Sequence, residues 1–284
     1  MNSLMFELNT IRFEITFKTY QQLRSILSFC KENSLYKVNI PCKNSLKKEF
    51  LLNSIKISRE EFPTIDVIPH FSILYEFRRN SLNTKNYFND FVQVVKDIGC
   101  NQVLLVSGSQ KRATLDSIST LSFFKDKPLF LNNDFSIGIA FNPYLPCFVF
   151  EEEIIRLERK LDSGLVRSIW IQFGTNIALL ESRLEILKDI ILAKADTNSC
   201  ISDINLYGSI LIPSKQFMAR FKYRPWKGVY ISSEFLESLD AANKVVVKLF
   251  KTYRRNNITP IIETSISNED QLNQLIILQK ISLM

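Results

Sequence analysis

The stretch Ser136–Phe173, SIGIAFNPYLPCFVFEEEIIRLERKLDSGLVRSIWIQF, holds one complete structural period. Ser136–Ala140 (SIGIA) is a short apolar run, which predicts a strand. Glu151–Leu161 (EEEIIRLERKL) has acids in its first turn and bases in its last, the distribution a helix dipole favours. Ser168–Phe173 (SIWIQF) returns to β-branched and aromatic residues. Strand, helix and strand in succession make a βαβ unit, whose two strands run parallel.

Working outward, the same alternation continues in both directions. Upstream strands are expected at Ile11–Thr16 (IRFEIT), Tyr36–Ile40 (YKVNI), Ile65–Pro69 (IDVIP) and Gln102–Ser107 (QVLLVS). Downstream they are expected at Asp203–Leu211 (DINLYGSIL) and Thr259–Glu263 (TPIIE). Between them, Tyr20–Glu32 places Leu23, Ile26, Leu27 and Cys30 on one helical face. Ile177–Lys194 and Glu234–Tyr253 are the longest helical patterns. Eight strands, each followed by helix, predict an α/β fold of the (β/α)8 TIM barrel type; a doubly wound open sheet is the alternative. No Pro/Gly/Ser-rich linker divides the chain, so residues 1–284 are expected to form a single domain.

The bulk composition agrees with one barrel. The chain has 284 residues, 46% hydrophobic and 23% charged, with 22 Phe and 7 Gly. A net charge of +7 would draw anions, but the basic pairs Lys47-Lys48, Arg78-Arg79 and Arg254-Arg255 are short and scattered. Five cysteines without a CxxC pair, and one histidine, supply a zinc site poorly, so no metal is expected. Free thiols fit a reducing, cytoplasmic setting. The N-terminus carries acid early and lacks an apolar core, so a signal peptide is not expected. No long apolar run calls for a membrane span.

In a βα barrel the chemistry gathers at the C-terminal ends of the strands. That rule selects Glu14 and Thr16, Asn39, His70 and Ser72, and Ser107, Gly108 and Ser109. The later strands contribute Asn142, Gln172, Asn176, Ser209, Glu263 and Thr264. A pocket shared by Glu14, His70, Gln172 and Thr264 is the specific expectation.

Several of these strand ends resemble, in the same order, those of the methylenetetrahydrofolate reductase family. Phe13-Glu14 is similar to that family's Phe-Glu after strand one, and Pro69-His70 to its Pro-His after strand three. Leu105–Ser109 (LVSGS) stands where the family has Leu-Arg-Gly-Asp, and Ile139–Pro143 (IAFNP) where its Ala-Tyr-Pro motif begins. Glu158–Phe173 resembles the run Lys-x-Lys-x-Asp-Ala-Gly-Ala leading to Thr-Gln-Phe. The resemblance implies an oxidoreductase of one-carbon folate metabolism, serving methionine biosynthesis. It would reduce methylene- to methyl-tetrahydrofolate with NAD(P)H and, in the family, FAD.

The resemblance implies a role for each matched residue. Glu14 becomes the general acid, which needs a shielded site to keep its proton near neutral pH. Gln172 becomes a pterin ligand, since an amide both donates and accepts. Asn39, Ser209 and Thr264 complete the substrate side. His70, Ser107, Gly108, Ser109, Asn142 and Lys160 fall at cofactor positions, Lys160 on the helix that would approach the dinucleotide.

The departures fall on the flavin. Ser107-Gly108-Ser109 replaces Arg-Gly-Asp and removes both charges. No histidine follows Pro143, and no GxGxxG or GxxxxGK loop is present. Weak or absent FAD is therefore expected, with hydride passing directly from nicotinamide to folate. The alternative is a catalytically degenerate or partner-dependent folate-binding barrel. A nucleic-acid reading rests on Phe221–Tyr230 (FKYRPWKGVY), where aromatics interleave with bases as in stacking platforms; nothing else in the chain builds a groove, so it ranks last. Homo-oligomerisation is left open.

Overall fold

The computed structural model describes residues 8–42, 48–76, 79–107, 115–127, 130, 135–195 and 203–284. Its strands are β1 (Arg12–Glu14), β2 (Lys37–Ile40), β3 (Asp66–Ser72), β4 (Gln102–Val106), β5 (Ser136–Phe141), β6 (Val166–Ile171), β7 (Asn205–Ile210) and β8 (Thr259–Ile262). They follow one another in chain order around a closed barrel. All pairings are parallel, and β8 closes on β1 through Arg12–Ile261 and Phe13–Ile262. The outer helices are α1 (Tyr20–Glu32), α2 (Lys48–Glu61), α3 (Ser81–Asp97), α4 (Ser117–Phe124), α5 (Cys147–Leu161), α6 (Ile177–Ala195), α7 (Lys215–Tyr223), α8 (Ser233–Glu237), α9 (Leu239–Arg255) and α10 (Glu269–Leu283). The expected barrel forms, and the open sheet is excluded. No helix among the described residues is long and apolar enough to cross a membrane.

Strand alternation explains the two faces of the wall. On β3, Val67 and Phe71 join the large core under the helices, as does Ile73 just after the strand, whereas Ile68 belongs to a separate interior cluster with Leu104, Trp170 and Ile261. Successive side chains point to opposite faces, so one parity feeds the helix layer and the other the barrel interior. The outer layer is strongly apolar. From α9, Val245, Val246 and Leu249 are fully buried, each contributing about 1.5–3 kcal/mol. Phe71, Phe88 and Phe124 meet edge to face, with ring centroids 4.8 and 5.4 Å apart, and tie β3 to α3 and α4. These phenylalanines thus act as a strand-to-helix adhesive.

Several expected boundaries move. The strand expected to stop at Pro69 continues to Ser72. Pro69 pairs with Ile40, the last residue of β2, where a missing N–H removes little pairing. His70 and Ser72 therefore lie within β3 rather than after it. The strand expected from Ser168 runs Val166–Ile171, and Gln172 lies just beyond it, its N–H still bonded to Phe141 O at 2.9 Å. The single helix expected over Glu234–Tyr253 is broken at Ser238. That residue is extended (φ −151°, ψ 162°), and its hydroxyl accepts from Ala241 N, starting α9 afresh. Serine makes this N-cap bond readily, and a cap stabilises a new helix start.

Candidate active site at the barrel mouth

A cavity of about 250 Å³ lies at the C-terminal ends of the strands. Its floor is apolar and aromatic: Leu104 from β4, Trp170 from β6 and Ile261 from β8. Its polar rim is formed by Glu14, His70, Asn142, Gln172, Ser209 and Glu263, with Glu153 reaching in from α5. Residues from β1, β3, β5, β6, β7 and β8 thus converge, because each sits on the inward parity near or just past its strand's C-terminal end.

The barrel wall sets these side chains. Trp170 donates from its indole Nε1 to Ser168 Oγ at 2.8 Å, and Ser168 also accepts from Gln102 Nε2. Tyr207 stacks on Trp170 at 4.2 Å and 22°, and His70 meets the same indole edge-on at 6.3 Å. The Tyr207 hydroxyl is pushed above its ordinary pKa by burial, although nearby Arg12 works against this. Asn142 is pinned at both ends: its Nδ2 donates to Gly228 O at 2.9 Å, and its Oδ1 accepts from Tyr144 N at 3.0 Å. Gln172 Oε1 accepts from Phe173 N at 3.1 Å.

Beneath the rim runs a buried polar chain. Arg12 is 2% exposed and spans from Asp66, at the N-terminal end of β3, inward to Asn39. Its Nη1 reaches Asp66 Oδ2 at 2.6 Å, its Nη2 donates to Val38 O at 3.0 Å, and its Nε donates to Asn39 Oδ1 at 2.8 Å. The other end of the Asn39 amide lies 2.9 Å from His70 Nε2.

Glu14, His70, Asn142, Gln172 and Ser209 share the cavity. Asn39, expected to touch substrate, instead supports His70 from inside the wall. Thr264 does not line the cavity; its hydroxyl accepts from Ile212 N at 2.9 Å and ties the β7 and β8 exits together. Lys160, expected at a dinucleotide, is 4% exposed and donates to Ala140 O at 3.2 Å. Burial lowers its pKa from the ordinary lysine value. Ser107 exchanges hydrogen bonds with Ser117 at the start of α4, through Ser117 N and Oγ, both at 3.1 Å. Gly108 and Ser109 lie outside the described residues. The sequence reading missed Trp170 and Glu153. Trp170 has the same strand parity as Gln172, a signal that was available; Glu153 sits on a helix, where strand-end reasoning does not look.

Two of the larger hollows, of about 640 and 530 Å³, contain no strand residue. The first borders the Phe221–Tyr230 segment. There Phe221 and Trp226 pack on Phe217, with centroids 6.0 and 5.4 Å away, so part of the aromatic pattern serves packing rather than an open stacking surface.

No family model matches the chain, and no curated protein matches it. Solved structures do resemble it in fold. A dihydrodipicolinate synthase from Agrobacterium tumefaciens superposes with a TM-score of 0.51 at 9% identity, covering 99% of this chain and 76% of that one. A dihydropteroate synthase from Coxiella burnetii, solved with pteroic acid, gives 0.50 at 10% identity, covering 96% and 93%. At such identities the likeness concerns the barrel itself.

Proposed function

We propose that this barrel reduces the methylene bridge of a tetrahydrofolate to a methyl group, with NAD(P)H as hydride donor, as the resemblance to methylenetetrahydrofolate reductases implies. The observation that carries this reading is the convergence of Glu14 and Gln172, from opposite parts of the chain, in one cavity over an indole floor. An amide that can donate and accept suits the edge of a pterin ring. The aromatic floor suits its face. In the reaction a hydride leaves the nicotinamide for the one-carbon bridge, and Glu14 delivers the balancing proton to the folate.

The residues present do not fit FAD. Ser107 is committed to the start of α4, and Lys160 to the β5 backbone. The reaction proposed for this site needs no flavin. Hydride transfer then takes place directly, in a ternary complex.

The test is anaerobic incubation of the purified chain with methylenetetrahydrofolate and NADH or NADPH. Stoichiometric nicotinamide oxidation and methyltetrahydrofolate formation are expected. Folate binding without turnover would favour the degenerate barrel, and neither binding nor turnover would overturn the folate reading.

A further inference from the structure

The buried chain beneath the cavity fixes more than a position. An arginine Nε–H can only donate, so the Asn39 atom facing it at 2.8 Å is the amide oxygen. The NH2 end of Asn39 then faces His70 Nε2 at 2.9 Å and donates to it. Nε2 must therefore carry a lone pair, and the ring proton belongs on Nδ1.

We propose that Arg12 and Asn39 are positioning residues that hold His70 neutral in its Nδ1–H form. The ring is then an uncharged group whose one N–H is a donor, and not a cation. A proton on Nε2 would require the Asn39 amide to turn over and set its NH2 against the Arg12 N–H. Arg12 cannot swing away to allow this, because Asp66 Oδ2, Asp66 O and Val38 O hold its other nitrogens. Several charged groups lie around the ring. Glu14 on β1, Glu153 on α5 and Glu263 after β8 share its cavity and favour a protonated ring. Arg12 on β1, close behind Asn39, opposes one, with Asp66 partly offsetting it and Tyr207 on β7 uncharged below the strongly alkaline range. β4 and β6 present Leu104, Val106 and Trp170, which carry no charge. The Asn39 amide is in direct contact with Nε2, so the polarity of that hydrogen bond decides whether this nitrogen carries a proton.

His70 is the only histidine of the chain, which makes the test direct. Long-range proton–nitrogen correlation on the 15N-labelled full-length protein should show one imidazole, with Nε2 unprotonated and Nδ1 protonated. That pattern should persist down to about pH 6, where an unconstrained histidine of pKa about 6.5 is largely charged. An Nε2–H tautomer, or an imidazolium at neutral pH, would overturn the proposal without any variant being needed. In Asn39→Asp the new carboxylate can accept from both neighbours, so the proton should move onto Nε2; an unchanged spectrum in a folded variant would also overturn it. The reading stands apart from the folate assignment, since the spectrum is taken without ligand and turnover plays no part.

Discussion

Trp170 occupies the space that a side chain at position 138 would need. The two residues lie on adjacent strands, β6 and β5, where the register shifts between Ile137 and Gly138. A Cβ on Gly138 would collide with the indole Nε1 and stand 2.7 Å from Ser168 Oγ. Gly138 has an ordinary strand φ, so its role is room rather than backbone freedom. The cavity floor is therefore set by the absence of a side chain on the neighbouring strand.

Gly138→Val should displace the indole and break its bond to Ser168. Overpacking of this kind costs about 1–3 kcal/mol. Chemical denaturation would read the loss, and the emission of Trp170 should shift as its surroundings change. Trp226, partly exposed, supplies a constant background that Trp226→Phe removes. Wild-type stability and spectrum in Gly138→Val would refute this account of the floor.

Glu14→Gln should retain fold and folate affinity while lowering reduction about 10²- to 10⁴-fold, the usual cost of a lost general acid. Turnover under saturating nicotinamide and folate measures it. An undiminished rate would return Glu14 to a purely structural position.

Lys160→Met should leave nicotinamide affinity unchanged, because the amine is buried against Ala140 O. The sign of its effect on stability follows from its depressed pKa. The stability a neutral amine provides is present above the unfolded value, about 10.5, and is lost as pH falls through the folded value. At neutral pH the wild type therefore carries a burial penalty, and Met, of similar length, should match or exceed its stability. Titration of NAD(P)H and thermal melts at two pH values test both halves; weakened nicotinamide binding would restore Lys160 to the cofactor.

Asp116 caps α4, accepting from Ser119 N at 2.8 Å and Ser119 Oγ at 2.9 Å. Burial pushes its carboxyl pKa up, but the Ser119 bonds, together with Arg156 and Arg159, pull it further down. Asp116→Ala should cost about 1 kcal/mol at neutral pH. Because the folded pKa is depressed, the ionic part of that advantage is present above about pH 3.9 and fades as pH falls through the folded value. Denaturation of both proteins across that range should show their difference narrowing; a constant gap would remove the ionic contribution.

The purified protein should show no flavin absorption bands, and its steady-state kinetics should have the intersecting pattern of a ternary complex. Stoichiometric flavin in the isolated protein would contradict the geometry at Ser107 and Lys160.

The barrel was legible because its period is written in local pattern: apolar strands of β-branched residues alternating with 3.6-residue stripes. Glu14, His70, Asn142, Gln172 and Ser209 were legible for the same reason, each following from strand parity and position. What escaped notice was long-range. Nothing local tells Asn39 that Arg12 will claim its oxygen, or Lys160 that α5 will bury it. Thr264 was placed in the pocket because hydroxyls at strand ends commonly close the backbone of the next turn, and a sequence does not distinguish that use from a ligand contact. The break at Ser238 was missed because Leu239, Ala242, Val245, Val246 and Leu249 continue an apolar stripe close to the one before them.

The division between an apolar jacket and a mouth with a polar rim carries a consequence for how this chain can change over time. Cohesion resides between the strands and their helices, where phenylalanine interlocks. Inward positions add less to cohesion and can exchange one polar group for another with a smaller penalty. Substitutions can accumulate at the mouth while the cylinder persists, and a new ligand could be acquired one rim residue at a time. A barrel organised in this way can lose all detectable kinship in sequence long before it loses its shape.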